Sequence, residues 1–259
     1  MEKLKEGQPL QCGDAESARL KPANPKTFSR AYFKEAAALL KNVKILAFAA
    51  VICALRIAVK SLSVPIAPGV YLSFDCYVNA VGAMVYGPIL ALLVGAVSDT
   101  LGAVLFPKGA YFFPFIAVEM LSGFIFALFL WRKKLTAPRL LLAKFTVNFL
   151  CNIVLNSAIQ KWYYALFVTD KVYYMINGVR IVKNLAIFPL EAVLICVLLN
   201  ALLPGLKSLG YADKAQEGIA LEKKELLLCG ALAVLSVAIV LFYVFFLKDF
   251  VAAHNIKLF

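Results

Sequence analysis

The apolar residues of this chain gather into long runs rather than into short periodic segments. A helix crossing a bilayer needs ~18–20 consecutive, mostly apolar residues, and several runs approach or reach that length. Segment one covers about 43–60 and ends at Arg56 and Lys60. A non-helical stretch with two prolines and a glycine follows over 61–75. Segments two and three, about 76–86 and 89–106, are parted only by Gly87 and Pro88. Segment two is short, which predicts a tilted helix or one beginning before Asp75. Segment four is 111–131, segment five about 140–160, and segment six about 177–203 with Pro189 inside it. A charged stretch over 204–224 precedes a seventh run, 225–247.

Ahead of these runs, residues 1–42 are polar and carry eight Lys and Arg. No apolar run falls within the first thirty residues, which argues against a signal peptide. Residues 1–26 read as a disordered tail. From 27 to 42, Phe28, Tyr32, Ala36, Leu39 and Leu40 recur at helical spacing between charges, the pattern of an amphipathic helix lying on a membrane surface. The expected fold class is therefore an all-α membrane protein. Its parts are a cytoplasmic tail (1–42), a six-helix core (43–203), a charged cytoplasmic linker (204–224), and a seventh transmembrane helix with a short external tail (225–259).

Composition sharpens this reading. The chain is 63% hydrophobic and 16% charged, whereas soluble domains run near 45–50% apolar and about 25% charged. The 27 Lys and Arg against 15 Asp and Glu give a net charge of +12. Cations held in inner loops explain that surplus, and no basic stretch is interleaved with aromatics outside the apolar runs, so nucleic acid is not an expected partner. With the N-terminus inside, the inner regions hold eighteen Lys and Arg and the outer regions nine. This sets a multi-pass protein of a cell membrane with a cytoplasmic N-terminus.

Few catalytic parts are present. The six cysteines make no C-x-x-C pair and lie mostly within apolar runs, where cysteine serves as a small packing residue. His254 is the only histidine, so neither a metal site nor His-based acid–base chemistry has its components. There is no P-loop, so the chain is not expected to bind a cofactor or hydrolyse ATP, and it is not expected to be an enzyme.

The remaining signals point to binding. Lys144, Asn148, Asn152, Asn156 and Gln160 recur every fourth residue along segment five. Neighbours in such a series share a helix face that slowly winds, and polar groups in hydrocarbon must find partners. This face should look into the bundle, where Asn offers donor and acceptor together to a neutral heterocycle; helix–helix hydrogen bonding accounts for at least one of the three asparagines. Intramembrane ionisable groups are costly and default to functional candidates: Asp99, Glu119 and Glu191, with Arg56, Lys144, Arg180 and Lys183. Internal pairing, for instance of Asp99 with Arg56, is the competing explanation. Aromatics crowd the outer side at Tyr71, Phe74, Tyr77, Tyr111, Phe112, Phe113, Trp162, Tyr163, Tyr164, Tyr173 and Tyr174. Together they suit a flat, partly anionic ligand, with Arg56, Lys161, Arg180 or Lys183 meeting its carboxylates. In segment one, Ala50, Ala54 and Ala58 form a smooth stripe for close helix approach, either within the bundle or to a partner. Gly95 and Gly102, around Asp99, suggest close packing of segment three against segment two.

These residues, taken in order, resemble a known family. Ala54-Leu55-Arg56-Ile57, Ser73-Phe74, Asn79-Ala80-Val81-Gly82, Gly87-Pro88, Gly95-x-x-x-Asp99-x-Leu101-Gly102 and Tyr111-Phe112-Phe113-Pro114 are similar to the folate-family substrate-binding (S) component of energy-coupling factor (ECF) vitamin transporters. Arg139-Leu140 through Lys144, Val147-Asn148, Asn152, Leu155-Asn156, Arg180-x-x-Lys183-Asn184-Leu185 and Pro189-Leu190-Glu191 continue the resemblance, which covers about 44–203. It implies a six-helix bundle that captures a vitamin from outside a bacterial cell and docks through the alanine stripe onto a transmembrane coupling subunit carrying two ATPases. Folate is the favoured ligand, and Arg56, Tyr71, Phe74, Asn79, Tyr111, Phe112, Phe113, Glu119, Asn148, Asn152, Asn156, Trp162, Arg180 and Lys183 are the candidate binding residues. The sequence departs from the family pattern at Asp75, Glu119 and Ser157-Ala158-Ile159, and the two added carboxylates would suit a less acidic or cationic ligand unless cations pair with them. A self-sufficient proton-coupled transporter relaying through Asp99 and Glu119, and a non-transporting membrane scaffold, are the alternatives from other classes.

Overall fold

The computed structural model describes residues 29–62, 64–67, 70–72, 74–107, 111–167 and 178–212 and the isolated positions Ala231, Val234 and Ala238, with backbone alone for 64–67, 70–72, 178–183 and 185–186. The expected tail over 1–26 and the body of the seventh run lie outside the described residues.

Chain order is α1 (Arg30–Ala38), a 3₁₀ turn (Leu39–Lys41), α2 (Val43–Ser61), strands β1 (Val64–Ala67) and β2 (Val70–Leu72), α3 (Asp75–Leu105), α4 (Phe115–Leu130), α5 (Ala137–Thr146), a π-helical stretch (Val147–Leu155), α6 (Asn156–Phe167) and α7 (Gly178–Ser208). Three of these helical rods, 75–105, 137–167 and 187–208, are long and apolar enough to cross a membrane. The fold is an all-α membrane bundle carrying one small antiparallel hairpin, in which Val64 faces Leu72 and Pro65 faces Tyr71.

Counted by length, α3 would be one 31-residue span, but its contacts show that it folds back on itself. Gly87 sits at φ 74°, ψ −178°, a conformation open essentially to glycine alone, and Pro88 cannot donate a hydrogen bond across the break. Asn79 and Ala91 both lie against Gly123 of α4, although twelve helical residues would hold them roughly 18 Å apart. The segments on either side of Gly87 are therefore two antiparallel arms, 75–86 and 88–105. The first arm begins at Asp75, not before it. With α2, α4, the continuous α5–π–α6 rod and α7, the arms complete six membrane helices.

The turn at Gly87 marks one end of the bundle. Trp131, at the end of α4, packs over Gly87, and Tyr32 of α1 meets the Trp131 ring edge-on at 4.8 Å. Glu35 of α1 pairs with Arg132. Burial pushes the Tyr32 hydroxyl up to about 12, against the opposing pull of Arg132. Helices α1 and α2 are bent by 85° at Asn42, whose side chain caps α2 by accepting from the backbone N–H of Lys44 and Ile45. Thus α1 lies across this end of the bundle while α2 runs up from it. Across the same end, Lys44 donates to the Leu209 carbonyl at 2.7 Å and stands over the Tyr211 ring. Arg30, Lys34, Lys41, Lys44, Arg132, Lys133, Lys134, Arg139 and Lys207 make this the basic end, and Phe74, Tyr111, Phe112, Phe113, Trp162, Tyr163 and Phe167 make the other, aromatic end.

The core is built largely around α3 and α4, the most closely packed pair of helices. Gly95 permits this approach, since a Cβ there would stand 2.8 Å from the Glu119 carbonyl oxygen. The close packing predicted for Gly95 is thus made with segment four rather than segment two. A Cβ at Gly102 would meet the Lys60 stem of α2 at an ordinary 3.5 Å. Segment two is not the partner there either.

Candidate functional site

At about 1.5 Å per residue, Arg56 stands roughly 20 Å up α2 from the basic end, while Asp75, Asp99 and Glu119 each stand about 18 Å from Gly87 or Trp131. Four helical arms thus bring ionisable groups to one depth near mid-membrane. Arg56, fully buried, donates from Nε to Asp75 Oδ1 and from Nη2 to Asp75 Oδ2, both at 2.9 Å. The same Nη2 reaches Glu119 Oε2 at 2.6 Å. One turn higher on α2, Lys60 holds Asp99 at 3.0 Å and the other oxygen of Glu119 at 3.2 Å. Asp99 therefore pairs with Lys60, not with Arg56 as the sequence suggested. Asp75 and Glu119, the added carboxylates, are both paired with cations.

A second pair links α5 and α7. Lys144 of α5 is almost fully buried and binds Glu191 of α7 at 2.9 Å, with Cys76 Sγ at 3.2 Å. Three cations (Arg56, Lys60, Lys144) thus face four carboxylates (Asp75, Asp99, Glu119, Glu191), a net charge of −1 over these seven groups.

The polar stripe on segment five lies largely in the π-helical stretch. A π turn holds slightly more than four residues, so four steps fall just short of a turn where an α-helix would overshoot it. The π geometry therefore offsets the winding expected of the stripe and holds Asn148 and Asn152 toward one side. Asn152 Nδ2 donates to Asn148 Oδ1 at 3.0 Å. This is helix glue within one helix, and it leaves Asn148 buried with Nδ2 unbonded. Asn156 is half-buried at the start of α6. The π stretch packs against α4, which carries Glu119.

Asn79, one turn below Asp75, donates to the Ser122 hydroxyl at 3.2 Å, while its own Oδ1 is unbonded. Among the described residues, the buried side-chain polar atoms without a partner are thus Arg56 Nη1, the Tyr77 hydroxyl, Asn79 Oδ1 and Asn148 Nδ2, together with the Tyr86 hydroxyl nearer the Gly87 turn. Such atoms are few in folded proteins, and here most lie at one depth.

Above that depth Phe112 is the hub of an aromatic group. Its ring meets Trp162 at 5.2 Å, Tyr163 at 5.7 Å, Phe167 at 5.9 Å and Phe115 at 6.0 Å. Phe74 meets Tyr77 at 5.9 Å. Tyr111 and Phe113 are exposed. Tyr71 is placed only on β2, and the side chains of Arg180 and Lys183 lie outside the described residues. Lys161 is exposed. Ala50, Ala54 and Ala58 are all exposed on α2, so the stripe is not used for packing among the described residues. Sequence reasoning missed Ser122 and Lys60 as members of the polar interior; their helical offsets from Glu119 and Arg56 were the available signal.

Residues 40–203 match the family described as ECF-type riboflavin transporter, S component. A folate transporter FolT of Clostridium novyi (strain NT) is 33% identical over 157 residues, which is 60% of this chain and 88% of that protein. A folate transporter FolT of Leuconostoc mesenteroides subsp. mesenteroides is 30% identical over 119 residues, covering 44% of this chain and 63% of that protein. A crystal structure of FolT bound with folic acid superposes with a TM-score of 0.50 at 26% identity, over 57% of this chain and 86% of that one.

Proposed function

Because the chain belongs to the S-component family of ECF-type transporters, we propose that it is the membrane subunit that captures a folate and hands it to an ATP-driven coupling module. The observation that carries the reading is the set of buried, unbonded polar atoms on Arg56, Tyr77, Asn79 and Asn148 at one depth. Donors and acceptors held ready in a low-dielectric interior suit the mixed edge of a flat heterocycle, and the Phe112–Trp162 group supplies faces for it above.

The charges refine the proposal. The three interior cations are matched by four carboxylates, so the interior favours the neutral ring of a folate rather than its acidic tail. The tail must be met at the aromatic end, where Lys161 is exposed and where Arg180 and Lys183 belong in the sequence. The basic end is then cytoplasmic, as the positive-inside rule requires, and the aromatic end receives the ligand. The exposed stripe of Ala50, Ala54 and Ala58 is a surface for the coupling subunit, and two ATPase subunits supply the energy.

Riboflavin, named in the matching family's description, is the second reading, since its ring is also flat and neutral. Thermal unfolding of the purified protein in detergent with folic acid, riboflavin, thiamine, pantothenate and queuosine precursors separates them. A ligand at ~100 times its dissociation constant adds roughly 2.7 kcal/mol, a clear rise in Tm. A rise with folic acid alone supports the proposal, a rise with riboflavin alone replaces the ligand, and a well-folded sample that responds to none overturns vitamin capture.

A further inference from the structure

An open groove of about 350 Å³ lies between α2, the first arm of α3 and α7 at the basic end. Its walls are apolar: Phe48, Ile52 and Leu55 on α2, Val81 on the arm, and Leu202 and Gly205 on α7. A Cβ at Gly205 would meet no atom within 4 Å. Leu55 and Leu202 are exposed, so the groove faces the surroundings of the bundle rather than its core, and it is separate from the polar interior.

The lower end of this groove is charged. Lys44, Phe48, Ile52 and Leu55 follow one another at i, i+4, i+8 and i+11 along a single face of α2. Lys44 therefore stands directly below the apolar wall. Its ammonium group sits at the groove's rim, because it donates to the carbonyl of Leu209, itself a lining residue, and stands over Tyr211, which packs on Phe48 at 4.6 Å. That bond uses one of three ammonium hydrogens. Lys41 is exposed just before α2, and Lys207 belongs to the last turn of α7. Among the described residues of this end the only carboxylate is Glu35, which is taken by Arg132. From Lys44 to Leu55 the wall is roughly 16 Å tall, about half of a ~30 Å hydrocarbon core.

We infer that this groove holds one acyl chain of an anionic phospholipid, whose headgroup phosphate is bound by Lys44 with Lys41 and Lys207 nearby. Apolar length, one-leaflet depth and a cationic rim that meets no free carboxylate among the described residues are the three requirements of such a site, and basic pockets between membrane helices are known to select anionic headgroups. A neutral lipid would fill the wall equally well but leave the lysines unanswered.

The test uses full-length protein in bilayers of phosphatidylcholine, with a Leu202→Trp reporter in the groove and the unsubstituted protein subtracted for Trp131 and Trp162. Phe48→Trp serves as a second reporter if the first variant does not fold. Brominated phosphatidylglycerol and brominated phosphatidylcholine are compared as quenchers. The expected result is stronger quenching by the phosphatidylglycerol, about fivefold or more in relative affinity, falling about fivefold in Lys44→Gln, the effect of one lysine at an anionic surface. Equal quenching by the two lipids, or a preference unchanged in Lys44→Gln, overturns the headgroup site. Absence of quenching by either overturns the groove as a lipid site and assigns it to protein, with residues 225–247 the first candidate.

Discussion

Glu119 accepts from Arg56 at 2.6 Å through one oxygen and from Lys60 at 3.2 Å through the other. A single carboxylate on α4 thereby ties two successive turns of α2, and its partners carry the tie on to Asp75 and Asp99 on the two arms of α3. The arrangement is asymmetric. Arg56 has two carboxylates and no route to water, whereas each carboxylate has another cation nearby or lies closer to the surface.

Substitutions in this cluster should therefore differ sharply in cost. Arg56→Gln leaves Asp75 without its cation and should destabilise by about 3–5 kcal/mol, the range for breaking a buried pair. Glu119→Gln leaves Arg56 with Asp75 and Lys60 with Asp99, and should cost roughly 1 kcal/mol. Thermal unfolding of the two variants in one detergent checks the order; equal losses would show that Asp75 does not hold Arg56 by itself.

The two glycines that shape α3 make a second pair of predictions. Gly87→Ala forces a side chain into a left-handed backbone and toward Trp131, 2.9 Å from the added Cβ. Strain of this kind costs about 1–3 kcal/mol before the clash is counted. Gly95→Ala meets backbone that cannot swing away, and should cost about 1–3 kcal/mol. Gly205→Ala, with open space above it, serves as the control and should leave Tm within a degree or two of the parent.

Asn148 allows binding to be separated from folding. Its Nδ2 is buried without a partner, while its Oδ1 accepts from the half-buried Asn152, so Asn148→Leu trades one helix hydrogen bond for the loss of an orphaned donor and should change the Tm of the ligand-free protein little. The vitamin-induced rise should shrink, with affinity reduced roughly tenfold or more for a lost buried hydrogen bond. Calorimetric titration checks the affinity. A drop in the ligand-free Tm with intact affinity would mark the polar stripe as structural.

The exposed alanines should behave in the opposite way. Ala54→Trp adds bulk on a face that no described residue covers, so vitamin binding by the isolated chain should persist. Uptake by cells that express the coupling module should fall at least tenfold, read with radiolabelled ligand. Loss of binding and uptake together would place Ala54 in the bundle's own packing.

Much of this was legible from sequence because membrane helices declare themselves by length and because ionisable residues are rare within them. Arg56, Glu119, Lys144 and Asn148 stood out for that reason, and all four are buried or paired as a hydrocarbon interior demands. What could not be read was pairing. Asp99 is compatible with either cation of α2, and the choice of Lys60 depends on the height at which α3 returns after Gly87, a tertiary property. The π geometry was hidden too, since it arises from one shifted hydrogen-bond ladder and leaves composition unchanged. A polar stripe at every fourth residue was its trace: a regular α-helix would have wound that stripe well around its axis.

The first arm of α3 has twelve residues and is therefore about 18 Å long, where a full crossing takes roughly 30 Å. Over the remaining 12 Å or so, at the aromatic end, the bundle is one helix short. Asp75 opens that arm, so the top of the truncated helix is also the charged platform on which Arg56 rests. A bundle of six complete helices would close this volume with side chains. Stopping one helix halfway instead ends that wall at the depth of the charged cluster, so that Arg56, Asp75 and Glu119 meet where the helix stops.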